Sequence, residues 1–147
     1  MNDRVAWFDL HSSGVTRVIS INRGNLLHDA TQQYSSDSIL NDKLKVEFEG
    51  EDGADLEGLT REFFSEFWAN FLKEFGVGAS YRHFVLNHAK LPSKDLCEAA
   101  GRILLHGFML TGYLPLALEP CISYHLLTGE MPSQAAIVNG YLKGIGG

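Results

Sequence analysis

The sequence predicts a mainly α-helical domain with a small β component, that is, an α+β fold. Two long stretches have the apolar spacing of helices, whereas only two short stretches alternate as strands do. Hydrophobic residues make up 45% and aromatic residues 11% of the 147 residues, which is typical of a compact folded domain. We expect a single domain over residues 1–147, in which helices surround a central buried helix and the strands form a short antiparallel pair.

The first predicted elements are a strand over residues 15–21 and a helix over residues 25–34. The run VTRVISI is rich in β-branched residues, which favour strands. Gly24 separates this run from the helix, and Asn25 is a suitable N-cap.

The central stretch begins with a strand over residues 44–48, where apolar and charged residues alternate. An acidic turn containing Gly50 and Gly53 follows, and a helix runs from Leu59 to Phe75. The apolar side of this helix is a wide aromatic stripe: Leu59, Phe63, Phe64, Phe67, Trp68, Phe71, Leu72 and Phe75. The expected polar side consists of Thr60, Arg61, Glu62, Ser65, Glu66, Asn70, Lys73 and Glu74.

A second long helix is predicted from Lys94 to about Gly112, with Ser93 as its N-cap. From Ile103 onward it is apolar on nearly every side, so we expect it to be buried at the centre of the domain. A membrane span is excluded because charged residues and prolines bound or interrupt the apolar run. Two shorter helices are expected over residues 119–127 and 132–141.

Composition narrows the class of protein. The formal net charge is −6 and no basic stripe is present, which argues against nucleic acid as a partner. The two cysteines, Cys97 and Cys121, form no CxxC pair and no disulfide framework. The first residues lack the apolar run of a signal peptide. We therefore expect an intracellular protein, cytoplasmic or nuclear, with no membrane partner.

The run from Val46 to Asp55, continued by the Arg-Glu-Phe-Phe opening of the aromatic helix, resembles the start of the N-lobe of HECT-type ubiquitin ligases. That family has a strand ending in an aromatic residue, a glycine-acid turn, an aspartate and an Arg-Glu-aromatic helix opening. The matching residues are Phe48, Gly50, Gly53, Asp55, Gly58, Arg61 and Glu62, with Ile19, Ile21, Arg23 and Leu27 upstream and Gly101 and Arg102 downstream. Two positions depart from the family pattern, since Glu57 and Leu105 stand where the family usually has glycines.

The resemblance implies the fold of a HECT N-lobe and a place in ubiquitin transfer. In that family the N-lobe docks the ubiquitin-charged conjugating enzyme, and a C-lobe cysteine accepts ubiquitin as a thioester before it passes to a substrate lysine. This chain resembles only the first portion of the N-lobe, and neither Cys97 nor Cys121 lies in a C-lobe context. The expected role is a non-catalytic N-lobe scaffold without cofactor or metal. Its partners, reached through the complete domain, are a conjugating enzyme, ubiquitin and a protein substrate. The alternative within this family is an adaptor that binds ubiquitin or another partner.

A third hypothesis comes from the residues themselves. Cys121 and His125 are four residues apart on a predicted helix, as a thiolate and its activating imidazole can be, so a small cysteine-dependent enzyme is conceivable. No third residue that would orient His125 can be identified. Metal sites are not expected: the acidic turn fits no EF-hand register, and His83, His88, His106 and His125 lack zinc-finger spacing.

The charged residues of the motif have both a functional and a structural interpretation. Arg61, Glu62 and Arg102 lie at the start of, or within, aromatic and apolar helices. Charges in such positions are usually paired with an opposite charge or a helix terminus. We therefore expect these three side chains to be structural.

Overall fold

The computed structural model describes residues 3–52, 56–77, 85–86 and 91–115. Helix α1 (Asp3–His11) precedes strand β1 (Thr16–Ile21), helix α2 (Leu26–Gln33) and strand β2 (Lys43–Phe48). Helix α3 (Leu56–Phe75), two short strands β3 (Gly76–Val77) and β4 (Val85–Leu86), and helix α4 (Lys94–Thr111) follow. Two 3₁₀ turns, Arg23–Asn25 and Asp37–Asn41, flank α2. The coarse α+β prediction is confirmed.

Strands β1 and β2 are parallel, with Thr16 opposite Lys43 and Ile21 opposite Phe48. The prediction that they form an antiparallel pair is wrong. The reason lies in the connection, because residues 22–42 contain α2 and return the chain to the end of the sheet where β1 began. In the described part of the chain, antiparallel pairing occurs between β3 and β4, which are two residues long.

The core forms where the inner face of this sheet meets α3. Ile19, Ile21, Val46 and Phe48 are buried on the sheet, as their alternation predicts. The aromatic stripe of α3 is buried as expected, except that Leu59 is only partly covered. One residue of the predicted polar side differs: Thr60 is 7% exposed, and it faces a cleft that residues of α1, β2 and α4 also line.

Helix α4 packs against α1, α2 and α3. It begins as predicted, since the Ser93 hydroxyl accepts a hydrogen bond from the Leu96 N–H (3.2 Å). Its C-cap is Gly112, which has φ of 74°. Its close contact with α3 requires glycine, because a Cβ at Gly107 would lie 2.9 Å from Cδ1 of Phe64.

The expectation that α4 is buried at the centre of the domain from Ile103 onward is correct for one side of the helix, where Ile103, Leu104, His106 and Gly107 are buried. On the other side Leu105 is 41% and Phe108 38% exposed, since no described element covers that side of the helix. Among the helices that the structure describes, none is both long enough and apolar enough to cross a membrane.

Several predictions concern residues outside the described ranges. They are the turn residues Gly53 and Asp55 and the helices predicted over residues 119–127 and 132–141.

The buried stripe of α3 yields a stability test. Phe67→Ala removes a fully buried ring and should lower the free energy of unfolding by about 3–5 kcal/mol, through lost burial and the cavity that remains. Lys73→Ala, on the exposed side of the helix, is the matched control and should cost less than about 0.5 kcal/mol. Ser65 is unsuitable as a control because it is hydrogen-bonded to Tyr113. Equal losses for the two variants in urea unfolding would contradict this assignment of the core.

Candidate functional site

The guanidinium of Arg23 joins two acids from different elements. Arg23 lies in the 3₁₀ turn after β1. Its Nε and Nη2 donate to the two carboxylate oxygens of Glu51, at 2.5 and 3.1 Å, and Nη2 also lies 2.9 Å from Oε1 of Glu62. Because Glu51 follows β2 and Glu62 is on α3, one side chain ties together the ends of both strands and the helix.

The buried ring of Phe48 packs against the Arg23 guanidinium. The Cζ atom of Arg23 lies 3.9 Å from the centroid of the Phe48 ring, which is 3% exposed. The hydrogen bonds from Arg23 hold the pKa of Glu51 below its usual value. Glu51 in turn raises the pKa of Arg23, which burial opposes and Glu62 reinforces. We call Arg23, Phe48, Glu51 and Glu62 the Arg23 cluster.

Gly50 allows the chain to turn back toward Arg23. It has φ of 79°, in the left-handed region that favours glycine, and a Cβ there would meet no atom within 4 Å. Backbone conformation, not space, is therefore what favours glycine at this position. The turn is closed by the N–H of Glu51, which donates to the carbonyl of Phe48 at 3.1 Å. This geometry places the Glu51 carboxylate beside the guanidinium.

The structure brings together some of the motif residues and separates others. Phe48, Gly50 and Glu62 meet at the Arg23 cluster or in its turn, whereas Gly58 is half-buried near the start of α3. Gly101 is buried in α4, a helix that contributes no residue to the Arg23 cluster. Gly53 and Asp55 are outside the described ranges, and the two motif arginines, Arg61 and Arg102, lie elsewhere.

Arg102 shows the pairing expected of a motif charge. Its Nε donates to Oδ1 of Asp37 at 2.6 Å, and its Nη1 donates to the carbonyl of Tyr34 at 3.0 Å. Tyr34 is the C-cap of α2, where unsatisfied carbonyls attract cations. Arg102 therefore fixes α4 to the end of α2.

Arg61 differs from its neighbour Glu62. It is exposed, and the structure shows no ion pair of its side chain with a described residue. It lines a cleft of about 460 Å³ between α1, β2, α3 and α4. Its lining combines apolar side chains, two hydroxyls, two carboxylates and two cationic groups. The lining residues are Phe8, Asp9, Lys43, Leu44, Glu57, Thr60, Arg61, Met109, Leu110 and Thr111. With neither a cysteine nor a histidine among these residues, the cleft offers recognition groups and no thiol or imidazole for chemistry.

A chain of buried polar groups connects the end of α2, helix α4 and the residue before β2. The Tyr34 hydroxyl and Nδ1 of His106 are 2.7 Å apart, and Nε2 of His106 lies 2.8 Å from the carbonyl oxygen of Asp42. A carbonyl only accepts, so Nε2 carries the proton, and in the neutral ring Nδ1 accepts from the Tyr34 hydroxyl. Both side chains are 0% exposed, which closes this arrangement to any substrate.

Burial controls the ionisation of this chain. It lowers the pKa of His106 to about 4 and holds the pKa of Tyr34 well above its usual value. The Asp42 carboxylate accepts from the Ser13 hydroxyl (2.7 Å) and from Nε of Arg17 (2.8 Å), and these two bonds lower its pKa. Among the described residues no buried side-chain nitrogen or oxygen lacks a hydrogen-bond partner.

The candidate nucleophiles give no assembled site in the described ranges. Cys97 is half-buried on α4, and its pKa is raised by burial and by the neighbouring Glu98, which keeps the thiol protonated. Cys121 and His125 are outside the described residues. The part of the chain with described geometry holds no group of three or more His, Cys, Asp or Glu side chains suited to a metal ion.

Comparison of the chain with known protein families and with curated protein sequences found no match. What the site can do is therefore judged from its geometry. The Arg23 cluster is an ion-pair and cation–π assembly, which fixes elements relative to one another. It contains no nucleophile, and the lowered pKa of Glu51 makes that carboxylate a weaker base.

Two links of the site were not found from the sequence. In the sequence Glu51 is only one residue of an acidic turn, and His106 is only one of several scattered histidines. A histidine inside an apolar helix indicates that it has a buried partner. Its partners Tyr34 and Asp42 are more than sixty positions away, and only the folded chain identifies them.

The contrast between Arg23 and Arg61 can be tested by stability. Arg23→Ala should lower the free energy of unfolding by about 1–2 kcal/mol, because it removes two partly exposed ion pairs and a cation–π contact. Arg61→Ala, which removes an arginine without an ion pair in the described chain, should cost less than about 0.5 kcal/mol. Arg23→Lys should recover little, because an ammonium cannot form the two-pronged contact with Glu51. Similar losses for Arg23→Ala and Arg61→Ala in urea unfolding would refute this role of the cluster.

His106 gives the fold a defined pH dependence. The unfolded chain binds a proton at His106 near pH 6.5, whereas the folded chain does so only near pH 4. The contribution of the neutral ring is thus complete above pH 6.5 and declines as the pH falls toward 4, by on the order of 3 kcal/mol. Urea unfolding at intervals between pH 7 and 4 measures this slope. His106→Gln should flatten it, while His28→Gln, at an exposed position, should leave it intact. An unchanged slope in His106→Gln would contradict the assignment.

Proposed function

We propose that this chain forms the first part of the N-lobe of a HECT-type ubiquitin ligase and acts there as a non-catalytic scaffold. The complete domain would transfer ubiquitin to substrate lysines through a cysteine thioester located outside this chain, in the cytoplasm or nucleus. The observation that supports this proposal best is the Arg23 cluster, where separate pieces of the resemblance meet.

These pieces are far apart in the sequence. The strand-Arg-helix beginning supplies Arg23, the strand ending in an aromatic supplies Phe48, and the Arg-Glu helix opening supplies Glu62. A chance similarity would not require the three to touch one another. Here a single guanidinium lies over the Phe48 ring and pairs with Glu62. A motif whose members form one packed assembly has a physical reason to be retained as a unit.

The chemistry of the chain fits a scaffold. Thioester formation needs an accessible thiolate, and the Cys97 thiol is half-buried with a raised pKa. The Arg23 cluster and the Arg102 contacts instead hold α2, α3, α4 and both strands in fixed relation. In this proposal the conjugating enzyme, ubiquitin and the protein substrate are bound through the complete domain, and nucleic acid is not a partner.

A chimera tests the proposal. This chain replaces the corresponding first part of the N-lobe in an active HECT domain, and ubiquitin transfer by the chimera is measured with activating and conjugating enzymes. We expect a folded chimera that forms the C-lobe thioester and modifies lysines. The charge-reversed double variant Arg23→Glu, Glu62→Arg, which re-forms one pair with opposite polarity, should retain more transfer than Arg23→Glu alone. A folded chimera with no transfer would overturn the proposal.

The isolated chain should form no thioester with ubiquitin when it is supplied with activating enzyme and charged conjugating enzyme. The reason is that the proposed acceptor cysteine is outside it and the Cys97 thiol is protonated. Non-reducing gels, with and without thiol, show whether an adduct forms. A thiol-sensitive ubiquitin adduct that disappears with Cys97→Ser or Cys121→Ser would instead favour a cysteine-dependent activity of the chain itself.

A further inference from the structure

Strand β1 has one edge that β2 leaves unused. The N–H of Lys43 donates to the carbonyl of Val15 and that of Glu49 to the carbonyl of Ile21, each at 2.9 Å. In a parallel ladder the residues that face the partner strand alternate with those that face away. With Val15 and Ile21 facing β2, the N–H and C=O groups of Thr16, Val18 and Ser20 point away from it.

No strand in the described part of the chain pairs with this edge. Thr16, Val18 and Ser20 are all exposed, Val18 by 54%, and no further described strand joins β1. Natural edge strands are commonly protected by lysine, proline or a bulge, and none of these occurs at the three outward-facing positions. On β2 the N–H and C=O groups that point away from β1 include those of Val46 and Phe48, and both of these residues are buried.

We propose that the β1 edge pairs antiparallel with the same edge of a second copy of this chain. The two-fold axis passes through Val18, which lies opposite its own equivalent, and Thr16 lies opposite Ser20 of the other copy. Each of these opposed positions exchanges N–H···O bonds in both directions, because the outward-facing groups of β1 occupy them. The result is a continuous four-stranded sheet with the two β1 strands at its centre.

The edge is self-complementary in this register. It pairs valine with valine and threonine with serine, combinations that stabilise neighbouring antiparallel strands. Arg17, the charged residue of β1, is paired with Asp42 of the same copy at 2.8 Å, and it lies opposite Ile19 of the other copy in this register. No like charges therefore face each other across the axis. A two-fold contact uses up both β1 edges, so the assembly closes as a dimer.

The contact is small, and its affinity follows from that. One strand edge buries less surface than a standard protein interface, so the dimer is weak and concentration-dependent. Each copy carries a formal net charge of −6, and this repulsion is screened by salt. Dimerisation should therefore strengthen as the salt concentration is raised.

Two exposed valines provide a matched test. Val18 and Val15 are 54% and 55% exposed, but the backbone of Val15 is occupied, its N–H by the Ser13 hydroxyl (3.1 Å) and its carbonyl by Lys43. Val18→Lys places two like charges opposite each other at the axis and should weaken dimerisation at least tenfold, about 1.4 kcal/mol or more. Val15→Lys adds the same charge beside the edge and should change the dissociation constant by less than about threefold, the effect of one more exposed charge. Sedimentation equilibrium of the full chain up to about 1 mM, the range where weak contacts are populated, measures both.

Hydrogen exchange followed by NMR supplies a second, residue-specific measurement. The amides of Thr16, Val18 and Ser20 should gain protection as the protein concentration rises. Those of Arg17, Ile19 and Ile21 face β2 and should be protected at every concentration. A monomer throughout the range, equal weakening by the two lysine variants, or a dimer without new protection at the three outward-facing amides would each overturn the proposal.

Discussion

The structure depends on the burial of the aromatic stripe of α3 against the inner face of a two-stranded sheet. Each fully buried aromatic ring contributes roughly 1.5–3 kcal/mol, whereas a partly exposed ion pair contributes about 0–1 kcal/mol. The stripe supplies Phe63, Phe64, Phe67, Trp68 and Phe71, all at most 1% exposed. Hydrophobic burial therefore holds the domain together, and the polar links decide how its elements are arranged around that core.

Three polar links perform this second task, and each connects parts of the chain that are far apart in sequence. Arg23 joins the ends of both strands to α3, Arg102 joins α4 to the end of α2, and His106 joins α4 to Tyr34 and to the start of β2. Their energetic contributions are modest, but a buried donor or acceptor left without its partner costs about 1–3 kcal/mol. Wrong arrangements of the helices are penalised by that cost.

The proposed function rests on the first of these links and the inferred dimer on the sheet edge, so the two are physically separate. The Arg23 cluster lies at the carboxyl ends of β1 and β2, whereas the unpaired edge is made by Thr16, Val18 and Ser20 along β1. The cleft that Arg61 lines is a further recess, formed by residues of α1, β2, α3 and α4.

The sequence by itself determined the main helices, the two longer strands and most of the core, because these follow from local periodicity and capping. Ser93 caps α4, and the i+4 aromatics of α3 are buried, as their spacing predicts. The direction of β1 relative to β2 was decided only by the tertiary structure, since alternation is the same in parallel and antiparallel strands. The exposure of Leu105 and Phe108 was likewise invisible to periodicity, which does not say how many neighbours a helix has. The partners of Arg23 and His106 come from distant segments, and only packing of the whole chain brings those segments into contact.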